Sequence, residues 1–170
     1  VMPYVAEVTK WMKQKNIKCV KADKPEYFWP GQKSSFLSSN SSGILHFKKI
    51  SYKVNRIKFN KELSKVLSKG GVEMCKLPSV YHGIIHKSSL EQLKNLSNSY
   101  FPGASPDMAN AIGLTKFKLN SFYLNFPLFI TGKQIKSTGG KGTNHNHVAE
   151  IKDVNHLPKN VAKTWDERIP

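Results

Sequence analysis

The order helix, turn, strand at the start of the chain constrains the fold more than any other stretch. In "VMPYVAEVTKWMKQKNIKCVK", Val5, Val8, Trp11 and Met12 recur near the helical period after Pro3, Asn16 ends the helix, and the run "IKCVK" follows as a strand. A helix feeding a strand in this way is the unit of an α/β fold. The chain continues the alternation: "GILHFKKISYKVNRIKFN" reads as one or two strands with lysines on the wet face, and "NKELSKVLSKGG" as a short helix capped by Asn60 and stopped by Gly70 and Gly71. A strand over Val80–Ile85 then precedes a helix striped by Leu90, Leu93 and Leu96, and "SFYLNFPLFITG" reads as a buried strand bent at Pro127. "KPEYFWPG" reads as a loop, packed or facing a ligand, and the Ser-rich "SSFLSSNSSG" as a mobile one. The expected class is α/β, and the 170 residues are expected to form one unit, residues 1–170, or part of one.

Charge is the strongest compositional fact. Lys plus Arg number 27 against 11 Asp plus Glu, a net charge of +16, and Arg56 and Arg168 are the only arginines. Lysine is a hydrated point charge, whereas arginine's planar fork reads phosphate or guanine bidentately, so this surface predicts a diffuse attraction to polyanions or anionic lipid over sequence-specific recognition. No apolar run reaches the roughly 20 residues of a spanning helix. Cys19 and Cys75 lack metal-ligand spacing and read as packed, reduced thiols of a cytosolic protein.

"SYFPGASPDMANAIG" holds the most informative carboxylate. Ser105 falls at a helix N-cap, Pro106 at the first helical position and Asp107 in the first turn, where the macrodipole favours negative charge. Capping explains all three without any function, yet a carboxylate fixed at a rigid helix start also suits a general base. Ala104, Ala109, Ala111 and Gly113 leave room either for a ligand or for close helix packing. In "YHGII", Gly83 permits close approach of a backbone or a ligand beside His82, itself a structural residue or an acceptor contact. The loop "STGGKGTNHNH" combines Lys136, Ser137, Lys141, His145 and His147; it reads as a solvated loop, or as one that closes over phosphates with His145 or His147 toward a metal. A divalent-metal site built from these residues alone is incomplete, because the chain has no DxD motif.

The order of these motifs resembles the C-terminal half of the family 2 glycosyltransferases of the GT-A type: a helix with a Trp near its end, a strand, "PEYFWP", "YHGII", "YFPGASPDMANAIG", a strand ending "FITG", and "STGG" before a polar loop. The resemblance spans nearly the whole chain, and "FPGASPDMANAI" and "YFWP" are its specific elements. It implies the C-terminal portion of a GT-A-like mixed sheet flanked by helices, with a donor-binding half and its acidic motif lying upstream of the helix at "VMPYVAEVTKWM". It further implies an inverting transfer from a nucleotide-sugar donor to a hydroxyl of a saccharide or lipid-linked acceptor, with a divalent metal, Mg or Mn, in the complete enzyme. By position Asp107 matches the family's general base, while Tyr27, Trp29, His82, Ser105 and Pro106 fall on the acceptor side. Lys136, Ser137 and His145 or His147 match the late loop near the diphosphate and metal. The implied location is cytoplasmic, with the cationic surface suited to an anionic membrane face. The rival expectation is a non-enzymatic module on which Tyr27, Phe28 and Trp29 stack single-stranded nucleic acid among dispersed lysines.

Overall fold

A computed structural model describes residues 2–31, 43–102 and 105–134. The chain divides into two compact units, residues 1–24 with 48–130, and residues 25–47 with 131–170.

The first unit is built on a four-stranded mixed sheet. Helix α1 (Met2–Gln14) ends where Asn16 turns into the left-handed region at φ 50°, and the Ile17 N–H returns to the Met12 carbonyl at 2.8 Å. Asparagine tolerates that conformation better than most residues, which is why it can stop this helix. Strand β1 (Cys19–Asp23) follows in the interior of the sheet. It is flanked by β6 (Ser121–Pro127), parallel to it, and β5 (Gly83–Ile85), antiparallel; β4 (Val54–Arg56) pairs antiparallel with β6 at the opposite edge from β5. Val8 and Met12 of α1 pack on Ile17, Val20, Ala22, Leu124 and Leu128, and Trp11 meets Phe122 edge-on at 5.3 Å. A strand buried between neighbours reads as a near-continuous apolar run, and "CVKA" does so except at Lys21. Register between β1 and β6 shifts after Ala22, where Asp23 comes opposite Pro127, a residue with no N–H for the ladder.

Helices α2 (Phe59–Ser68), α3 (Lys87–Ser97) and α4 (Pro106–Leu114) complete this unit. Val66, Leu77 and Ala111 form a second apolar cluster that Met74, Cys75 and Met108 join. Leu93 lies against α4 so closely that a Cβ on Gly113 would come 2.6 Å from its Cδ1, so the small residues of "MANAIG" serve close packing at that position. Asn60 is not the cap of α2: Lys58 occupies the N-cap position, and the Asn60 carbonyl, already inside the helix, accepts the Ser64 hydroxyl at 2.9 Å. Gly70 and Gly71 end α2 with φ of 65° and 74°, as glycines past a helix do. The leucine stripe of α3 is narrower than the spacing predicts, because Leu93 is buried while Leu96 faces solvent.

The second unit carries β2 (Glu26–Phe28) between β3 (Leu45–His46), antiparallel, and β7 (Thr131–Lys133), parallel. The segment read as a loop is thus a strand bracketed by Pro25 and Pro30, where missing N–H groups cost no ladder bond. The apolar run read as one bent strand serves two, β6 and β7, separated after Pro127 and belonging to different sheets. Among the described residues no helix is long and apolar enough to cross a membrane.

Candidate functional site

Asp107 opens α4 half-buried, with its two carboxylate oxygens differently engaged. Oδ1 accepts the Met108 N–H at 2.9 Å and the Ser105 hydroxyl at 3.2 Å, while Oδ2 has no partner among the described residues. Pro106 is at the first helical position as its chemistry predicts. Ser105 holds the N-cap position, but its side chain caps no backbone N–H; it donates to the carboxylate instead. A hydroxyl near a carboxylate does so because a charge-assisted bond is roughly twice as strong as a neutral one. The first helical bond runs from the Ala109 N–H to the Ser105 carbonyl at 2.8 Å. The outcome is a carboxylate aimed by one oxygen and open at the other.

The backbone of residues 99–101 is held from several sides. Buried Asn110 donates through Nδ2 to the Tyr100 carbonyl at 2.7 Å, and the Phe101 N–H donates to the Ser99 hydroxyl at 3.1 Å. The Tyr100 hydroxyl donates to Glu91 at 2.8 Å, which pushes the phenol above its usual range, and Lys94 sits over the ring at 5.0 Å from its centroid. Tyr81 stacks on Phe101 with centroids 6.3 Å apart and planes 21° apart, so the tyrosine of "YHGII" meets the aromatic pair that precedes α4 in sequence. His82 neighbours that stack through Tyr81, and its carbonyl accepts the Ala22 N–H at 3.5 Å. At Gly83 the close approach is by backbone: a Cβ there would lie 2.5 Å from the Val20 carbonyl oxygen and 2.7 Å from that of Ser79. The glycine seats β5 against β1.

Tyr27 and Trp29 belong to the second unit. Their rings meet edge-to-face at 5.3 Å, and Trp29, 52% exposed, lies so close to Gly132 of "FITG" that a Cβ there would come 2.8 Å from its Nε1. The two sequence elements "YFWP" and "FITG" therefore meet, and they hold an indole open to solvent. Lys136, Ser137, His145 and His147 lie outside the described residues. Among the described residues no three His, Cys, Asp or Glu side chains gather, so these residues alone do not supply the donor set of a divalent metal.

A second polar group was not singled out by the sequence reading. Lys21, only 8% exposed, donates through Nζ to the Cys75 carbonyl at 2.8 Å. Burial, aided by the Lys24 charge, pulls its pKa down to about 8 against the opposing influence of Cys19, Cys75 and Glu62. Cys19 itself is pushed up to about 12 by burial. The Tyr123 hydroxyl donates to Asp23 Oδ1, Lys76 lies 4.3 Å from the centre of its ring, and burial with the Asp23 bond raises that phenol far above its usual range. Burial acts upward on Glu62, but bonds from Lys65 and from the Lys76 N–H outweigh it and hold the carboxyl below its usual range. The available signal was a single lysine inside an otherwise apolar strand, a position where a charge needs a partner.

What the fold and site define is a mixed α/β chain with a half-buried carboxylate at a helix start. No family model matches the chain, and neither a curated protein nor a solved structure does.

Proposed function

We propose that the chain is the acceptor-binding half of a family 2 glycosyltransferase of the GT-A type, with Asp107 as the general base of an inverting transfer. The observation that carries this reading is the asymmetry of Asp107, whose Oδ1 is fixed by Met108 and Ser105 while Oδ2 has no partner among the described residues. In the reaction the acceptor hydroxyl gives its proton to Oδ2 as its oxygen attacks the anomeric carbon of a nucleotide-activated sugar. The new glycosidic bond forms on the face opposite the departing nucleoside diphosphate, so a single displacement inverts the configuration. Ser105 and Pro106 adjoin that carboxylate in sequence and the Ser105 hydroxyl bonds to it, which supports their assignment to the acceptor side, while His82 is assigned there by the resemblance. In the second unit, exposed Trp29 beside Tyr27 offers a face of the kind on which saccharide rings stack. The donor, and the Mg or Mn that the resemblance implies, belong with an upstream half, and Lys136, Ser137 and His145 or His147 are the residues of this chain assigned toward the diphosphate. The reading places the chain in the cytoplasm, acting on a saccharide or lipid-linked acceptor.

The test is Asp107→Asn in the enzyme joined to its donor half. Asparagine keeps the Oδ1 acceptor and removes the base, so transfer should fall by about 10²–10⁴-fold with nucleotide-sugar affinity unchanged. Retained turnover would return Asp107 to capping alone. A second reading, single-stranded nucleic-acid binding, is favoured by the same exposed Trp29 and the lysine excess, but Phe28, expected to share the stacking face, is buried in the strand instead. It requires affinity for oligonucleotides that falls steeply with salt and with Trp29→Ala.

A further inference from the structure

The edge of the first unit formed by α1 and β4 exposes side chains that a protein surface ordinarily buries. Tyr52 is 74% exposed, Tyr4 65% and Val54 46%, and Ile50 is exposed as well. Tyr4, Val54, Trp11 and Phe126 line an open, mostly apolar groove of about 340 Å³, with Glu7 the one acidic side chain in its lining. The presentation is built into the backbone. The Ser51 N–H donates to the Asn125 carbonyl at 3.1 Å, the Asn125 N–H donates to the Lys53 carbonyl at 2.9 Å, and the Asn55 amide donates to Asn125 Oδ1 at 2.7 Å. Between those clamps Tyr52 holds φ at 50°, a conformation that L-residues rarely adopt, with its ring 5.9 Å from that of Phe126. Strain of this kind persists only where the surroundings enforce it, and it concentrates at functional positions. The charge of the same stretch is uniform: residues 48–56 are all exposed and include Lys48, Lys49, Lys53 and Arg56 with no acidic residue.

We propose that this edge docks on an anionic lipid bilayer, with Tyr4, Tyr52 and Val54 entering the headgroup–acyl boundary and Lys48, Lys49, Lys53 and Arg56 meeting the anionic headgroups. The argument does not depend on the transferase reading. Tyrosine suits such a boundary because its ring is apolar and its tip polar, and lysine stems lie along apolar surface while their ammonium groups stay wet. Anionic headgroups attract basic residues near the surface, and apolar insertion adds to that attraction. A nucleic acid would engage the lysines but has no use for Ile50 and Val54, and an acidic protein partner, which could bury the tyrosines too, is separated from a bilayer by the vesicle measurement.

The chain is tested by co-sedimentation with vesicles of phosphatidylcholine alone and of phosphatidylcholine mixed with phosphatidylglycerol. It should pellet with the mixed vesicles, not with the neutral ones, and less as salt rises. The double variant Tyr4→Ser with Tyr52→Asn should weaken binding about tenfold. It removes exposed side chains and leaves asparagine in a backbone conformation it tolerates, so its unfolding transition should match that of the parent. The triple variant Lys48→Glu, Lys49→Glu, Lys53→Glu should lose about 100-fold or more. Equal binding to both vesicle types, no binding to either, or full affinity of the tyrosine variant would overturn the proposal. So would light scattering that shows the parent self-associating and the tyrosine variant monomeric, which would assign the edge to a second copy of the chain.

Discussion

The interior and the β4 edge of one sheet treat the same residue type in opposite ways. Strand β1 carries Lys21 among Cys19, Val20 and Ala22, all buried, and its ammonium reaches the Cys75 backbone carbonyl. The approach to β4 carries Lys48, Lys49 and Lys53 in full solvent beside Tyr52 and Val54. A count of lysines treats these as one population. Their physics differ: Lys21 bears a desolvation cost that its surroundings only partly offset, while the edge lysines keep their hydration and are available to an external anion. The interior of the sheet is therefore sensitive to volume and protonation, and the edge to what the chain meets.

The sharpest way to break the contrast is a methyl group on Gly83. In Gly83→Ala the added Cβ has two backbone carbonyl oxygens in its way, at 2.5 and 2.7 Å, and neither can rotate aside as a side chain could. Stability should fall by about 3 kcal/mol, or the chain should fail to fold, as measured by urea unfolding. Gly71→Ala is the comparison: its φ is 74°, but nothing lies within 4 Å, so only conformational strain of about 1 kcal/mol is expected. Similar losses at the two glycines would mean that β5 can move away from β1.

Protonation gives the next effect. Lys21 has a folded pKa of about 8 against an ordinary 10.5, so between those values the unfolded chain holds the extra proton and stability rises with pH. Cys19 acts in the opposite sense from its ordinary 9.0 upward, because its folded pKa is raised to about 12, and Tyr123 joins it above 10.0. Stability should climb by about 1 kcal/mol from pH 8 to 9, level off, and decline beyond 10. Lys21→Met removes the climb and keeps the decline, a result that chemical denaturation at a series of pH values reads directly.

These sites also mark what could be read from the sequence. The α/β class, α1 with its stop at Asn16, the interior strand, the glycines ending α2 and the helix starting at Pro106 follow from local chemistry, since periodicity and backbone preference act over a few residues. Three features did not follow, two of them because they depend on distant partners and one because a local side-chain bond displaced the expected cap. The strand Glu26–Phe28 exists because β3 and β7 pair with it. The Ser105 hydroxyl turned from the backbone to a carboxylate, and Lys21 found a carbonyl 54 residues away. The role of Gly83 was legible only as an alternative, backbone or ligand, until the Val20 and Ser79 carbonyls were located. At the candidate site, the position of Asp107 was legible and the division of labour between its oxygens was not.

That division predicts a small, separable stability effect. Asp107→Ala removes the acceptor of the Met108 N–H and should cost about 1 kcal/mol, whereas Asp107→Asn keeps an acceptor oxygen and should cost less than about 0.5 kcal/mol. If asparagine proved as costly as alanine, the carboxylate's charge would be structural, and loss of activity in that variant would no longer single out a base.

The smallest expected change lies at the exposed edge. Tyr52→Asn exchanges a residue strained at φ 50° for one that tolerates the left-handed region, a gain of about 1 kcal/mol, and gives up the ring contact with Phe126, a loss of about 0.5–1 kcal/mol. The two nearly cancel, so the denaturation midpoint should stay close to that of the parent. A loss beyond about 1 kcal/mol would show that Tyr52 is packed against something that stabilises the fold, and the edge would then resemble the interior it is contrasted with. An unchanged midpoint together with weakened vesicle binding would separate the interior of the sheet from its edge cleanly, because a side chain with no net contribution to folding would then be held in a strained conformation for what it touches outside the chain.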